Sequence, residues 1–253
     1  MTGTEESEAY RLIDERLSAV REKLARAEGA SPYHQKVTLM AVTKTIDADR
    51  INHVLDCCGI TDIGENRPQE LCEKYPLLHL DGVRVHQIGT LQSNKVKYII
   101  DKTAMIHSLD SQNLAQEIEK QAAKHALLAD CLIEINIGRE ENKGGILPDE
   151  DALFRFYESA AVLPHVRVRG VMTIAPNTHD RDAYLRYFSE TRRLYEALRA
   201  RYLDNALPAG CAPVLSMGMS GSFEEAVLCG ADIVRVGSAI FGERTYPAAK
   251  TVV

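Results

Sequence analysis

A chain of 253 residues, 45% hydrophobic and 26% charged, has the composition of an ordinary globular protein and is long enough to bury a sizeable core. Its formal net charge of −6 at pH 7 argues against nucleic acid or an anionic membrane as a partner, because a negative surface gains nothing from either. The N-terminus is acidic and polar, unlike a targeting peptide, and no apolar run approaches membrane-spanning length.

The first predicted element is a helix over about residues 5–28, which Gly29 ends. Its apolar residues recur at helical spacing and form one stripe: Leu12, Ile13, Leu17, Val20 and Leu24. After it, short strand-like segments alternate with amphipathic segments of helix length. The eight predicted strands cover residues 37–43, 60–64, 83–89, 104–109, 131–137, 167–173, 212–217 and 232–237.

Strands that alternate with helices imply right-handed β-α-β units and a parallel sheet. Eight such units, without a linker or a shift in composition, fit a closed (β/α)8 TIM barrel better than an open doubly wound sheet. We therefore predict a single α/β domain over residues 1–253, with the N-terminal helix as an extra element. The reactive end of such a barrel is the carboxyl end of its strands.

The cysteines and histidines give no sign of a disulfide framework or a metal centre. No C-x-x-C pair occurs among the six cysteines, and no H-E-x-x-H cluster occurs among the eight histidines. Most of the cysteines lie in apolar runs. We therefore expect reduced core cysteines, no metal ion, and a cytoplasmic location.

Unusual polar residues collect at the predicted carboxyl ends of the strands. Lys44 ends the first strand, Asn66 follows the second, and His86 lies near the end of the third. Any one of these residues could simply mark a strand that reaches water. That explanation is weaker for the whole set.

Small residues mark the ends of the seventh and eighth strands, and they suit an anion. They are Ser216, Gly218, Ser220 and Gly221 after the seventh strand, and Gly237 and Ser238 after the eighth. Small side chains let backbone N–H groups approach a phosphate, and helix N-termini add partial positive charge. Two well-capped turns would explain the same pattern, since Ser222 and Glu225 have the spacing of a capping box.

Strand alternation directs two cations into the barrel. Arg235 shares a face with Ile233, opposite two valines that suit the helix-facing side, and Lys44 shares a face with Met40 and Val42. A buried guanidinium such as that of Arg235 is costly unless it has a partner. Apolar walls around Lys44 would lower the pKa of its amine, and the neutral amine can attack a carbonyl. A ligand with an aldehyde for the lysine amine and a phosphate for the small-residue loops would satisfy both sides of the barrel mouth. Pyridoxal 5′-phosphate (PLP) fits, and so do the sugar phosphates of Schiff-base aldolases.

Long segments of the chain resemble the pyridoxal phosphate homeostasis protein family. They are "LMAVTKT", "DIGENRPQEL", "HQIGTLQSNKVKYI", "IHSLDS", "EINIGREENKGG" and "LSMGMSGSFEEAVLCGADIVRVGSAIFGER". The resemblance implies a PLP-binding barrel similar to the N-terminal domain of alanine racemase. It also implies a monomer that holds this vitamin B6 cofactor and passes it to apo-enzymes.

The same resemblance assigns roles to individual residues. Lys44 would form the Schiff base with PLP, and Arg235 would lie against the pyridine nitrogen. Asn66 and His86 would line the site near the ring. The phosphate would be bound by the small residues at the ends of the seventh and eighth strands: Ser216, Gly237 and Ser238, with backbone help around Met217 and Gly218.

Two points favour a carrier over an enzyme. An arginine does not readily protonate the ring nitrogen, so the cofactor should be a weak electron sink. In alanine racemase, one of the two acid–base groups comes from a separate C-terminal β-domain, which we expect this chain to lack. A fold-type III PLP enzyme such as an amino-acid racemase, or an aldolase that does not use PLP, remains the alternative.

Overall fold

The computed structural model describes residues 3–243, and its elements are numbered in chain order. The strands are β1 (Thr38–Val42), β2 (Asp62–Glu65), β3 (Arg84–Gln87), β4 (Met105–Leu109), β5 (Ala129–Ile135), β6 (Val166–Thr173), β7 (Val214–Met219) and β8 (Ile233–Val236). The helices are α1 (Gly3–Ala30), α2 (Ala48–Asp56), α3 (Pro68–Lys74), α4 (Val96–Ile99), α5 (Gln112–Lys124), α6 (Glu150–Ala161), α7 (Arg181–Leu198), α8 (Asp204–Ala206), α9 (Phe223–Leu228) and α10 (Ser238–Phe241).

The eight strands form a closed parallel barrel in sequence order. Each strand pairs with the next, and β1 closes the barrel against β8, with Met40 opposite Arg235 and Ala41 opposite Val236. The predicted (β/α)8 barrel and its eight strands are therefore confirmed. The strand ends differ from their predicted positions by at most two residues, and β7 continues to Met219, two residues beyond its predicted end.

The two faces of the barrel sheet bury different clusters. Inside the barrel, Met40, Val42, Ile88 and Ile233 pack together, and a second cluster contains Met105, Leu132 and Met172. The opposite faces of the strands join the much larger core between sheet and helices, to which Val234 and Val236 belong. The predicted alternation in β1 and β8 is therefore confirmed, and it fixes which side chains face the barrel interior.

The N-terminal helix α1 packs outside the barrel, against α9 and α10. Its buried residues follow the helical stripe at spacings of four and three residues: Ile13, Leu17, Val20, Leu24 and Ala27. Leu12 lies at the edge of this stripe and is only partly buried. After the helix, Ser31 and Gln35 donate hydrogen bonds to the carbonyl oxygen of Val227 at the end of α9.

All six cysteines lie within the described residues, and none forms a disulfide. Cys131 and Cys229 are buried, and Cys58 and Cys72 are partly buried against the core, so the prediction that the cysteines belong to the core is wrong for Cys57, which is exposed. Within residues 3–243, no helix combines the length and the apolar character needed to cross a membrane.

Candidate active site at the barrel mouth

Lys44 lies in the turn that follows β1, at the carboxyl end of the barrel, and its side chain is half-buried. The next residue, Thr45, adopts a left-handed backbone conformation with φ of 65°, which is uncommon for a side chain branched at Cβ. A conformation of this kind persists only where the surroundings hold it. The turn that carries Lys44 is therefore held in place by its neighbours.

A cluster of charged residues from β2 and α3 holds the backbone on both sides of Lys44. The Lys74 ammonium donates to the carbonyl oxygen of Thr43 at 2.8 Å, to Glu65 Oε1 at 3.0 Å and to Glu70 Oε1 at 2.6 Å. Glu70 also accepts a hydrogen bond from the backbone N–H of Thr45. Buried Glu65 accepts from the Thr43 hydroxyl at 2.7 Å, and burial raises its pKa. These contacts position the lysine without using its own amine.

Five of the predicted residues line one cavity of about 270 Å³ at this end of the barrel. They are Lys44, Asn66, Arg235, Gly237 and Ser238. Val42, Ile88 and Ile174 supply apolar walls, and Met219, Ser220 and Gly221 complete the lining. The volume lies near the lower end of the range for small-molecule sites. An amine, a guanidinium and small-residue loops therefore face the same space.

The loops after β7 and β8 are joined by the Ser220 hydroxyl. It accepts hydrogen bonds from the backbone N–H groups of Gly237 at 3.1 Å and Ala239 at 3.3 Å. Gly237 packs closely against β1, since an added Cβ would lie only 3.3 Å from Cβ of Val42. The two loops thus form one cradle, in which the Ser220 hydroxyl accepts these two hydrogen bonds and keeps its own proton to donate to a phosphate.

Four predicted site residues do not line this cavity. Since β7 continues to Met219, Ser216 lies within the strand, fully buried, and its hydroxyl contacts Arg235 and His107. This placement argues against the predicted contact of Ser216 with phosphate, and Ser220 takes that place in the lining. Met217 faces the outer core, and Gly218 packs beneath α9. His86 lies deeper in the barrel, where it is 1% exposed.

Arg235 is held inside the barrel by two hydrogen bonds. Nη1 donates to the Ser216 hydroxyl at 2.7 Å, and Nη2 donates to the carbonyl oxygen of Thr173 at 2.8 Å. Burial lowers the pKa of Arg235 to about 10, partly offset by the charge of Glu134, so the guanidinium stays charged at neutral pH. Its remaining N–H groups are available to the cavity.

Glu134 on β5 is a residue that the sequence reasoning missed. It lines a neighbouring cavity of about 310 Å³ with Thr90, Asn136 and Lys143, and Ile174 lies in the walls of both cavities. Burial, together with the charge of Asp110, raises the pKa of Glu134 to about 7. A lone acid within the apolar strand "CLIEINI" was the signal, since alternation places it on the inward face with Leu132.

A larger cavity of about 570 Å³ lies at the amino ends of β1 and β3. Arg21, Lys36 and Arg84 line it, far along the strands from the turns where Lys44 and the small-residue loops meet. Barrel enzymes place their reactive groups at the opposite, carboxyl end. Size alone therefore does not identify the site, and the smaller cavity at the barrel mouth is the candidate.

Away from the mouth, α1 and α2 bring together Asp14, His53 and Cys58, three residue types that bind metals. His53 Nε2 lies 2.7 Å from Asp14 Oδ1, and the Cys58 thiol donates to the same oxygen at 3.1 Å. Burial and the adjacent Asp14 raise the pKa of Cys58 to about 12, which keeps it a thiol rather than a metal-binding thiolate. The cluster is explained as a hydrogen-bonded contact between the two helices.

Comparison with known proteins finds one matching family model and relatives that share one name. The family model described as "Alanine racemase, N-terminal domain" matches residues 16–245. A pyridoxal phosphate homeostasis protein of Aquifex aeolicus is 43% identical over 233 residues, covering 92% of this chain and 98% of that protein. An Escherichia coli K12 protein of the same name is 34% identical and covers 92% of this chain and 97% of its own.

Solved structures share the architecture. The structure of PipY from Synechococcus elongatus with PLP bound is 30% identical, with a TM-score of 0.75 over 91% of this chain and 100% of that chain. An alanine racemase of Clostridium difficile is 17% identical, with a TM-score of 0.63 over 92% of this chain and 58% of that chain. The second likeness shows a common fold alone.

Proposed function

The chain belongs to the pyridoxal phosphate homeostasis protein family, and we propose that it binds PLP at the barrel mouth and serves intracellular PLP homeostasis. The observation that carries this proposal is the shared cavity. Lys44, Arg235 and the Ser220–Gly237 cradle face one space, and they match the aldehyde, the ring nitrogen and the phosphate of PLP.

The residues of the cavity fit the cofactor. Asn66 has a buried side-chain oxygen without a hydrogen-bond partner among residues 3–243, so it retains hydrogen-bonding capacity for a ligand near the ring. Gly237 and Ser238 face the cavity beside the Ser220 hydroxyl. PLP would supply an aldehyde that condenses with the Lys44 amine, forming a carbon–nitrogen double bond and releasing water.

Arg235 suits a site that binds PLP without catalysing a reaction strongly. A guanidinium has donors and no acceptor, and it does not readily give up its proton. Next to the pyridine nitrogen of bound PLP it would donate a hydrogen bond and would leave that nitrogen unprotonated. Without a protonated ring the cofactor withdraws electrons weakly. We propose that the protein acts as a monomeric, single-domain carrier in the cytoplasm, which releases PLP to apo-enzymes.

A second candidate function is that of a fold-type III PLP enzyme, such as an amino-acid racemase. Glu134 favours it, because a carboxyl with a pKa of about 7 near the mouth is a suitable proton-transfer group. Racemisation requires acid–base groups on both faces of the substrate. Turnover of amino acids by the purified, PLP-loaded protein would establish this function in place of the carrier role.

Spectroscopy of the PLP-loaded protein tests the proposed binding site. We expect a visible absorption band that borohydride abolishes, and peptide mapping should then find the pyridoxyl group on Lys44. Lys44→Ala should lack the band. Lys120→Ala, which removes a lysine that is 72% exposed on α5, should retain it. A pyridoxyl group on another lysine would contradict the assignment.

The carrier role needs its own measurement. We expect the loaded protein to restore activity to an apo-form of a PLP enzyme, and to do so faster than its PLP dissociates into solution. A PLP-trapping reagent in excess separates direct transfer from release. If reactivation disappears when the trap is present, the protein stores PLP but does not deliver it.

A further inference from the structure

We propose that Asp62, His86, His107 and Ser216 form a positioning relay, a chain of hydrogen bonds across the barrel interior that holds Arg235 in the orientation required at the pyridine nitrogen. The proposal rests on the function proposed above, since it concerns the same site. None of the four relay residues is needed to touch the cofactor. Their effect would pass through Arg235.

The relay is continuous in the structure. The Ser216 hydroxyl accepts from Arg235 Nη1 at 2.7 Å, and it lies 3.1 Å from His107 Nδ1. His107 Nε2 lies 3.0 Å from His86 Nδ1, and His86 Nε2 lies 3.0 Å from Asp62 Oδ1. The residues come from β2, β3, β4, β7 and β8, so the chain crosses the barrel from one side to the other.

Every member of the relay is shielded from water. Asp62, His107 and Ser216 are 0% exposed, His86 is 1% exposed, and Arg235 is 3% exposed. Buried polar groups are costly unless they are paired, and in this relay each one has a partner on both sides. Beyond Asp62, Arg84 lies 2.9 Å from the carboxylate at the end of the barrel opposite the mouth.

The two ends of the relay determine in which direction each of its hydrogen bonds is donated. The guanidinium of Arg235 only donates, and an ionised Asp62 only accepts. Burial alone would raise the pKa of Asp62, but hydrogen bonds from His86 and Arg84 outweigh it, and the net shift is downward. Burial, with a contribution from the neighbouring His86 and Arg235, holds the pKa of His107 well below its usual range, so this imidazole is neutral.

With His107 neutral and one proton on His86, a single arrangement satisfies every group, and we propose that arrangement. Ser216 donates to His107 Nδ1, His107 donates from Nε2 to His86 Nδ1, and His86 donates from Nε2 to Asp62. Each residue between the ends then accepts one hydrogen bond and donates one. The Ser216 oxygen keeps its acceptor site turned toward Arg235. The edge of the guanidinium that carries Nη1 is thereby fixed, and its other N–H groups are directed to the cavity.

The tautomers test this arrangement without any cofactor. In the apo-protein at neutral pH, nitrogen-15 NMR of labelled histidine should show His86 and His107 neutral with the proton on Nε2. Assignment uses His86→Gln and His107→Gln. A proton on Nδ1 of His107, or a doubly protonated His86, would require the opposite hydrogen-bond direction and would overturn the proposal.

Variants then test the effect on the cofactor site. Ser216→Ala removes the hydroxyl that accepts from the charged Arg235, and His107→Gln removes the imidazole that orients this hydroxyl. Each should weaken PLP retention by about tenfold or more. They should also shift the pH at which the visible band of bound PLP changes. Thr191→Val, which removes a buried hydroxyl from α7, should lower stability without altering that pH.

The outcomes separate the two proposals. If the wild-type protein shows no Lys44-dependent band, the proposed function fails, whatever the tautomers are. If the band is present and both relay variants keep wild-type retention and the wild-type pH response, the relay is an ordinary buried network and the positioning role is wrong. A loss confined to thermal stability would likewise overturn the positioning role.

Discussion

At the scale of single residues, the backbone around Lys44 is held by ionic contacts that lie on the outer side of the barrel sheet. Lys74 contacts the carbonyl before Lys44, and Glu70 contacts the N–H after it. Glu65, on the helix-facing side of β2, completes the cluster and is 1% exposed. Lys44 is therefore positioned through its neighbours in the chain.

Replacing Lys74 by methionine should destabilise the protein by about 3–5 kcal/mol, because Glu65 would be left as a buried charge with its cationic partner removed. The additional change Glu65→Gln should recover part of this loss. Denaturant unfolding of the two single variants and the double variant gives the coupling energy. Lys102→Ala breaks the more exposed pair with Asp101 and should cost only about 0–1 kcal/mol. Equal losses for the two lysine variants would contradict the proposed role of the cluster.

A second prediction at this scale concerns the titration of Glu134. Burial raises its pKa from the ordinary value to about 7, so the folded state holds the proton more tightly than the unfolded chain. Its stabilising contribution is complete at acidic pH, below the unfolded pKa, and is lost as the pH rises through about 7. Glu134→Gln should therefore reduce the loss of stability between pH 5 and pH 8.

Thermal unfolding of wild type and variant at both pH values measures this difference. Glu141→Gln removes one negative charge from an exposed loop position and controls for net charge. Other groups titrate in the same interval, so the informative quantity is the difference between each variant and wild type. An unchanged pH slope for Glu134→Gln would show that the carboxyl does not titrate as inferred.

At the scale of elements, the strands could be predicted from the sequence, but some of the turns could not. Alternation within β1 and β8 places Lys44 and Arg235 at the barrel mouth because the period of a strand is two residues. The end of β7 was misplaced, since "SMGMS" has no apolar-to-polar boundary. Of the small residues that the sequence offers after this strand, Ser216 therefore lies inside β7, and Ser220 lines the cavity.

The start of α9 shows how local spacing can mislead. Ser222 and Glu225 have the spacing of a capping box, but the Ser222 side chain makes no cap hydrogen bond, so that prediction is wrong. Its hydroxyl instead accepts from the backbone N–H of Met219, and Glu225 pairs with Arg181 on α7. Contacts with the preceding strand and a neighbouring helix replace the local pair.

The joined loops after β7 and β8 lead to a third prediction. Ser220→Ala should weaken PLP binding by about tenfold, because its hydroxyl joins the two loops through Gly237 and Ala239 and would donate its own proton to the phosphate. It should leave the affinity for pyridoxal, which has no phosphate, unchanged. Ser222→Ala is the matched control, since its hydroxyl lies outside the cavity lining. Equal weakening for both ligands would show that Ser220 acts on the whole cavity.

At the scale of the whole molecule, the barrel has a buried polar interior beneath the cavity at its mouth. No local sequence pattern reveals this interior. His86 and His107 are adjacent because β3 and β4 are neighbours and both side chains face inward. Ser216 meets them from β7, 109 positions away from His107 in the chain. Pairing across a barrel depends on strand register, which a single sequence does not specify.

Because the mouth draws on several strands of a closed barrel, ligand binding should stabilise the whole fold by mass action. PLP at 100 times its dissociation constant should add about 2.7 kcal/mol of unfolding free energy. For a chain of this size, that gain corresponds to a rise of roughly 5–10 °C in the unfolding temperature. Differential scanning fluorimetry across a PLP titration measures it.

The fourth prediction divides this stabilisation between the covalent bond and the remaining contacts. Pyridoxine 5′-phosphate has the ring and the phosphate of PLP, but it has an alcohol where PLP has the aldehyde, so it cannot condense with Lys44. It should give wild-type protein a smaller shift than PLP at equal concentration, and Lys44→Ala should respond equally to both ligands. If Lys44→Ala is stabilised by PLP as strongly as wild type, the covalent bond contributes nothing to retention, and the phosphate cradle and Arg235 must hold the cofactor. If instead the variant loses all stabilisation by either ligand, Lys44 contributes to non-covalent binding as well, and its role extends beyond that of a covalent anchor.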